Sequence, residues 1–166
     1  MNRWLAGLAV GLLLLGGWMA YRWLFPPDEV LVRRVVKQAC NAASWGAGTG
    51  ALGKLAGVDT LAGLVSPDVE VLLNYQGPHS GRLRGRDEIR SIAAAMRLDK
   101  AWLKVDVEGM EASVVEPGLS ATAVVALVVT YDGGSQPLSN DFGIDLRKID
   151  GDWLITRVEP IRGFGM

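Results

Sequence analysis

The last third of the chain, residues 121–160, restricts the possible folds most strongly, because it predicts three consecutive β-strands. Residues 121–131 (ATAVVALVVTY) are almost all apolar, a pattern typical of a strand that is buried on both faces. Residues 132–134 (DGG) favour a chain reversal, because glycine adopts positive φ without strain. A sheet this apolar needs other elements to cover at least one of its faces.

The two strands after this reversal show the alternation of half-buried strands. Phe142, Ile144 and Leu146 alternate with polar residues or glycine. Asp150-Gly151 is a strong signal for a tight hairpin between the two strands. In the last strand, alternation predicts one face with Trp153, Ile155 and Arg157, and another with Leu154, Thr156 and Val158.

The chain is predicted to contain a transmembrane helix at 1–25, one domain at 26–161 and a flexible tail at 162–166. Residues 4–25 carry a single charge, and at about 1.5 Å per residue they span a hydrocarbon core of about 30 Å. The predicted membrane residues include Trp4, Leu13, Trp18 and Trp23, whose tryptophans suit the bilayer interfaces. The alternative is a cleaved signal peptide, but no suitably spaced small residues end the apolar run.

The orientation of this helix follows from the basic residues on its two sides. Arg3 and the terminal amine favour an amino terminus in the cytoplasm, which places the domain on the extracytoplasmic, periplasmic side. Arg22, Arg33 and Arg34 favour the reverse orientation. The extracytoplasmic placement is our prediction.

Composition excludes several functional classes. Two of the 17 basic residues and none of the 18 acidic residues lie in the first 25 positions, so the remainder is mildly acidic and lacks the basic surface of a nucleic-acid-binding protein. The single cysteine rules out an internal disulfide. One cysteine and one histidine do not form a typical zinc site, so we predict no metal and no cofactor.

Between the predicted transmembrane helix and the three predicted strands of residues 121–160, the periodicity first predicts helices. Residues 28–45 form an amphipathic helix with Leu31, Val35 and Ala39 on one stripe. The glycine-rich residues 45–54 resemble a phosphate-binding loop, but a helix precedes them and Leu55 occupies the position of the required hydroxyl. We therefore interpret them as a connection to a short helix at 58–65.

Next come a strand at 68–75, a short strand at 82–84, a helix from Gly85-Arg86 to about Leu98, and a strand at 102–111.

This order resembles the nuclear transport factor two-like superfamily, a cystatin-like α+β cone. The resemblance rests on residues 66–69 (SPDV), on the helix start at 85–89 (GRDEI) and on residues 150–155 (DGDWLI), and it covers about residues 28–160. It implies a curved antiparallel sheet that wraps around helices and leaves a pocket at the open end of the cone. It also implies that the opposite face of the sheet commonly forms dimers.

The superfamily includes enzymes such as ketosteroid isomerase, but this chain lacks the catalytic residues that the resemblance to that enzyme implies. The position of the carboxylate base falls near Gln76, which cannot accept a proton, and the first helix lacks a tyrosine. His79 with Asp141 as its orienting partner is the remaining acid–base pair, although a histidine beside proline in a turn is more often simply exposed. We assign no catalytic residue.

Our first hypothesis is therefore a membrane-anchored, non-catalytic interaction domain, a subunit or accessory of a membrane complex. Its partners would be the membrane and either other subunits or a second copy of the chain. The alternatives are a module that binds a small apolar ligand and, less favoured, a small lyase or isomerase that uses the cone pocket. The predicted pocket residues are Tyr75, Trp102, Asp141 and Arg157. The predicted interface residues are Val124, Ala126 and Val128.

Overall fold

Three helices and six strands follow one another in a computed structural model, which describes residues 16–17, 26–73, 81–116, 118–134 and 136–161. They are α1 (Asp28–Ala43), α2 (Ala51–Gly63), β1 (Val65–Leu73), β2 (Gly81–Arg84), α3 (Arg86–Asp99), β3 (Leu103–Glu116), β4 (Ser120–Tyr131), β5 (Leu138–Ile149) and β6 (Asp152–Pro160). The predicted α+β class is confirmed.

The strands form one curved six-stranded sheet in the order β2-β1-β6-β5-β4-β3. The prediction of an antiparallel sheet is wrong at one junction, because β1 and β6 run parallel, with Val71 opposite Val158. Hairpin signals reveal only strands that are neighbours in sequence. They did not show that β1, already paired with β2 on one edge, would receive the last strand on its other edge.

The helices cover one face of this sheet. Val32 and Val36 of α1 are fully buried against Val125, Leu146 and Ile155 of the sheet. Because all three helices lie on that side, the other face of β4 is not covered, and Val124 is 48% exposed. The prediction that this strand is buried on both faces is therefore wrong. We call the two faces of the sheet helix-facing and outer.

A β-bulge in β6 reverses the predicted direction of Arg157. Leu146 of β5 pairs with Ile155, but Asp145 pairs with Arg157, so Thr156 is an extra residue between the two pairs. A bulge of this kind shifts the alternation by one residue. Arg157 consequently lies on the outer face of the sheet, whereas Trp153 and Ile155 lie on the helix-facing side. Val158 packs against the core in place of Arg157.

The glycine-rich connection is shorter than predicted, because α2 begins at Ala51 and not at residue 58. Lys54 Nζ donates to the carbonyl of Arg97 on α3 at 2.9 Å. A methyl group on Gly57 would lie 3.0 Å from the Arg97 guanidinium and 3.2 Å from the Ala42 carbonyl. These tertiary contacts outweigh the low helix propensity of glycine.

Three other boundaries also differ from those predicted. Helix α1 ends at Ala43, before Trp45, because the backbone of Trp45 pairs with Leu103. Strand β1 starts at Val65, three residues early, since Ile155 donates its backbone N–H to Leu64. Strand β3 extends to Glu116, beyond the predicted end at 111, because a register shift after Val107 lets the pairing with β4 continue.

The guanidinium of Arg97 is buried between the helices. Arg97 as a whole is 4% exposed, and its guanidinium donates to the carbonyls of Ala93 and Ala42 and lies 4.9 Å from the ring centre of Trp45. Its burial lowers its pKa. The carbonyl of Ala42 belongs to the last turn of α1, where the helix dipole favours a positive charge.

Hydrogen bonds fix the start of α1 to the hairpin between β5 and β6. The carboxylate of Asp28 accepts hydrogen bonds from Lys148 Nζ at 3.0 Å and from Trp153 Nε1 at 3.1 Å. These hydrogen bonds, with that of Lys148 the larger influence, hold the pKa of Asp28 below its ordinary value.

The predicted membrane residues Trp4, Leu13, Trp18 and Trp23 lie outside the described residues, so the anchor and the orientation stay predictions. The same is true of the predicted tail at 162–166. Within the described residues, none of the helices combines the length and the apolar character needed to cross a bilayer.

Gly57→Ala should lower the free energy of unfolding by about 1–2 kcal/mol, because the added methyl group meets the Ala42 carbonyl and the Arg97 guanidinium. The control is Gly63→Ala in the same helix, where a methyl group meets nothing within 4 Å and stability should stay equal or rise slightly. Urea unfolding measures both. Equal effects of the two substitutions would contradict the close packing at Gly57.

Asp28→Asn should lower the free energy of unfolding by about 1 kcal/mol at neutral pH, because Lys148 loses the carboxylate with which it is paired. A lowered folded-state pKa stabilises the protein at pH values above the unfolded-state value, ordinarily 3.8, and that contribution disappears as the pH falls through the folded-state pKa. The difference between wild type and variant should therefore shrink in acid. Urea unfolding at several pH values tests this, with the exposed Glu29→Gln as the control that shows little effect at neutral pH.

Candidate functional site

The helix-facing side of the sheet becomes progressively more exposed towards one end. Along β5, Leu146 and Ile144 are buried, Phe142 is half-buried, and Asn140 and Leu138 are exposed. All five side chains share one face, because they occupy alternate positions of one strand. The core thus opens at the beginning of β5.

The neighbouring strands show the same gradient at the same end of the sheet. Leu127 pairs with Asn140 from β4, and Val158 of β6 pairs with Val71 of β1. Leu127, Val158 and Val71 pack against the buried core but remain half-buried themselves. We call this surface the cone mouth; its residues are Val71, Leu127, Asn140, Phe142 and Val158.

The course of α1 explains why this corner is exposed. The helix starts beside the β5–β6 hairpin, at Asp28, and ends beside β3, where the hydroxyl of Ser44 accepts a hydrogen bond from the Val105 N–H at 2.9 Å. It therefore crosses the sheet diagonally. The ends of β4, β6 and β1 and the start of β5 are left without its cover.

The cone mouth is apolar with one amide. None of its five residues carries a group that exchanges protons near neutral pH, and Asn140 offers both a hydrogen-bond donor and an acceptor. The charged residue on the helix-facing side of β5, Lys148, lies at the opposite end and forms an ion pair with Asp28. The chemistry of the mouth suits contact with an apolar molecule that has a polar group.

The structure distributes the predicted pocket residues over different places. Trp102 lines an open groove of about 630 Å³ at the start of β3, beside Trp45. Arg157 lines a second groove of about 490 Å³ on the outer face. Asp141 is exposed and lines neither groove. Tyr75 and His79 lie outside the described residues.

The outer-face groove contains a ladder of alternating charges. Asp145, Arg157, Glu70 and Arg84 lie opposite one another on four adjacent strands. Arg84 Nη2 approaches Glu70 Oε1 at 2.5 Å, and this hydrogen bond lowers the pKa of Glu70. Arg157 forms its salt bridge with Glu159 of its own strand, at 2.8 Å. The opposite charges still lie side by side across the strands, so the groove offers little net charge to a ligand.

The described residues contain one thiol, that of Cys40. Cys40 is buried in the core, and burial raises the pKa of its thiol to about 11, so the thiolate is scarce at neutral pH. Among the described residues, no group of three or more His, Cys, Asp or Glu side chains is placed to hold a metal ion.

Sequence reasoning missed the cone mouth because it selected aromatic and charged side chains. Asn140 was available as a signal, since it lies two residues before Phe142 on the same face of a predicted strand. Val158 offered no such signal, because the bulge at Thr156 places its side chain on the face opposite to the predicted one.

Comparison with solved structures identifies the fold. A candidate scytalone dehydratase from Novosphingobium aromaticivorans matches with a TM-score of 0.63 and 15% identity, over 80% of this chain and 82% of that one. An NTF2-like protein of unknown function from Pseudomonas putida matches with a TM-score of 0.63 and 11% identity, over 84% and 89%. The chain therefore has the nuclear transport factor two-like fold. This confirms the fold that the resemblance implied, whereas the pocket at the open end and the dimer stay predictions.

A candidate polyketide cyclase from Xanthomonas campestris shares the fold, with a TM-score of 0.50 and 20% identity, over 80% of this chain and 90% of that one. No family profile matches the chain, and no curated protein matches it by sequence. At these identities, the similarity concerns the fold alone.

Cys40 should resist labelling by Ellman's reagent in the native protein at pH 8, because its thiol is both buried and protonated. Denaturation in guanidinium chloride should expose it and give one equivalent of reaction within minutes. Absorbance of the released thionitrobenzoate measures both rates. Rapid labelling without denaturant would mean that the end of α1 opens readily.

Proposed function

We propose that this domain binds a small, mainly apolar molecule at the cone mouth. The observation that carries the proposal is the exposure gradient along β5, from buried Ile144 through half-buried Phe142 to exposed Asn140. Small-molecule sites are usually lined by apolar side chains with a few polar groups among them. The apolar residues supply contact area, and the amide of Asn140 orients the ligand.

The similar structures support ligand binding better than the membrane scaffold that the sequence favoured first. Two of them are named as candidates for enzymes that act on scytalone and polyketides. One fold hosts many activities, so these names suggest a class of ligand only.

We propose binding without catalysis. In its support, Val71, Leu127, Asn140, Phe142 and Val158 include no acid, base or nucleophile. General acid–base catalysis needs a proton-transferring group within hydrogen-bond reach of the substrate.

The first test is binding of the neutral fluorophore N-phenyl-1-naphthylamine to the full chain, followed by its fluorescence. Asn140→Trp should weaken binding about tenfold or more, because the indole occupies the mouth from an exposed position. The matched control is Ser139→Trp, which places the same side chain on the outer face and should leave binding unchanged.

Thermal unfolding of both variants shows whether either has lost its fold. Equal binding by the wild type and by both folded tryptophan variants would reject the cone mouth as the site. Loss of binding with Ser139→Trp alone would place the site on the outer face instead.

A further inference from the structure

The outer face of β4 carries a continuous apolar row. Val124, Ala126 and Val128 occupy alternate positions there, and Val124 is 48% exposed. An antiparallel sheet with one solvated face normally alternates apolar with polar residues, and β4 does not. We call these three residues the outer strip.

Glycines lie beside the outer strip on both neighbouring strands. Gly109 of β3 pairs with Ala126, and Gly143 of β5 pairs with Val124. A methyl group on Gly109 would meet Ala126 at 3.9 Å, whereas the side chains of Glu159 and Ile161 lie 3.7 Å from a methyl group placed on Gly143. The outer strip is about 14 Å long, from the rise of a strand, and about 10 Å separate β3 from β5.

Acidic residues border the outer strip on both sides. Glu111 of β3 lies opposite Val124, and Asp141 of β5 lies opposite Ala126. Both side chains are exposed, and among the described residues no basic side chain forms a salt bridge with either of them. Asp106, opposite Val128, adds a third acid on the β3 side, paired with Lys104 at 2.8 Å.

We propose that the outer strip is a docking surface for a cationic amphipathic helix of a partner protein. An α-helix is about 10–12 Å across, which matches the distance from β3 to β5, and two to three turns match the length of the strip. The apolar line of such a helix covers Val124, Ala126 and Val128. Its lysines or arginines on either side meet Glu111 and Asp141.

The charges distinguish this partner from other occupants. A second copy centred face to face on the outer strip would bring the acids of β3 and β5 against the same acids of its partner. Such like-charge contacts oppose association. Nucleic acids and anionic lipid surfaces are repelled for the same reason.

The probe is a fluorescently labelled amphipathic helical peptide of leucine and lysine, about 14 residues long, titrated with the full chain and followed by anisotropy. We expect saturable binding that weakens as salt is raised. The comparison peptide replaces every lysine by glutamate and should not bind.

Paired substitutions locate the peptide on the protein. Glu111→Lys with Asp141→Lys should weaken binding about tenfold or more, because two attractions become repulsions. The control, Glu29→Lys with Asp87→Lys, has the same net charge but changes exposed acids on α1 and α3, and should have little effect. Val124→Thr should weaken binding, while Val115→Thr, at another exposed position of β3, should not.

Three outcomes would overturn the proposal. They are equal binding of the lysine and glutamate peptides, equal effects of the two double charge reversals, and a dimer in sedimentation that Val124→Thr dissociates. Val124→Thr should leave binding of N-phenyl-1-naphthylamine at the cone mouth unchanged. Failure of the docking proposal is therefore distinguishable from failure of the ligand-binding proposal.

Discussion

The attachment of α1 at both of its ends determines how the rest of the domain is arranged. At its start, the carboxylate of Asp28 is held by Lys148 and Trp153. At its end, the carbonyl of Ala42 accepts a hydrogen bond from the guanidinium of Arg97, and the hydroxyl of Ser44 accepts one from the backbone N–H of Val105 in β3. A helix fixed in this way can cover only a diagonal of the sheet. The uncovered corner is the cone mouth, so the candidate site is a result of helix placement.

Much of the fold could be predicted from local sequence, for identifiable reasons. The alternation of Phe142, Ile144 and Leu146 and the positive φ that Asp150-Gly151 provides are properties of neighbouring residues, and both predict the structure correctly. The early start of α2 could not be predicted, because it depends on Lys54 and Gly57 meeting α3. Contacts between distant residues overrode glycine's weak helix propensity.

The two candidate surfaces differ in how far the sequence revealed them. The outer strip was visible, because β4 lacks the alternation of a strand with one solvated face, and its three residues were the predicted interface. The cone mouth was hidden for two reasons. Its apolar side chains look like ordinary core residues until the path of α1 is known, and the bulge at Thr156 exchanges Arg157 for Val158 on the helix-facing side.

The parallel pairing of β1 with β6 also sets the order in which this protein can be completed during synthesis. Strand β1 is made before β3, β4 and β5, yet its edge towards the middle of the sheet pairs with β6, which is made after them. A ribosome-bound chain can therefore form the β1–β2 hairpin and the first helices, but it cannot close the sheet. Until β6 emerges, β1 and β5 each keep an unpaired edge, which is the kind of surface that invites incorrect strand pairing.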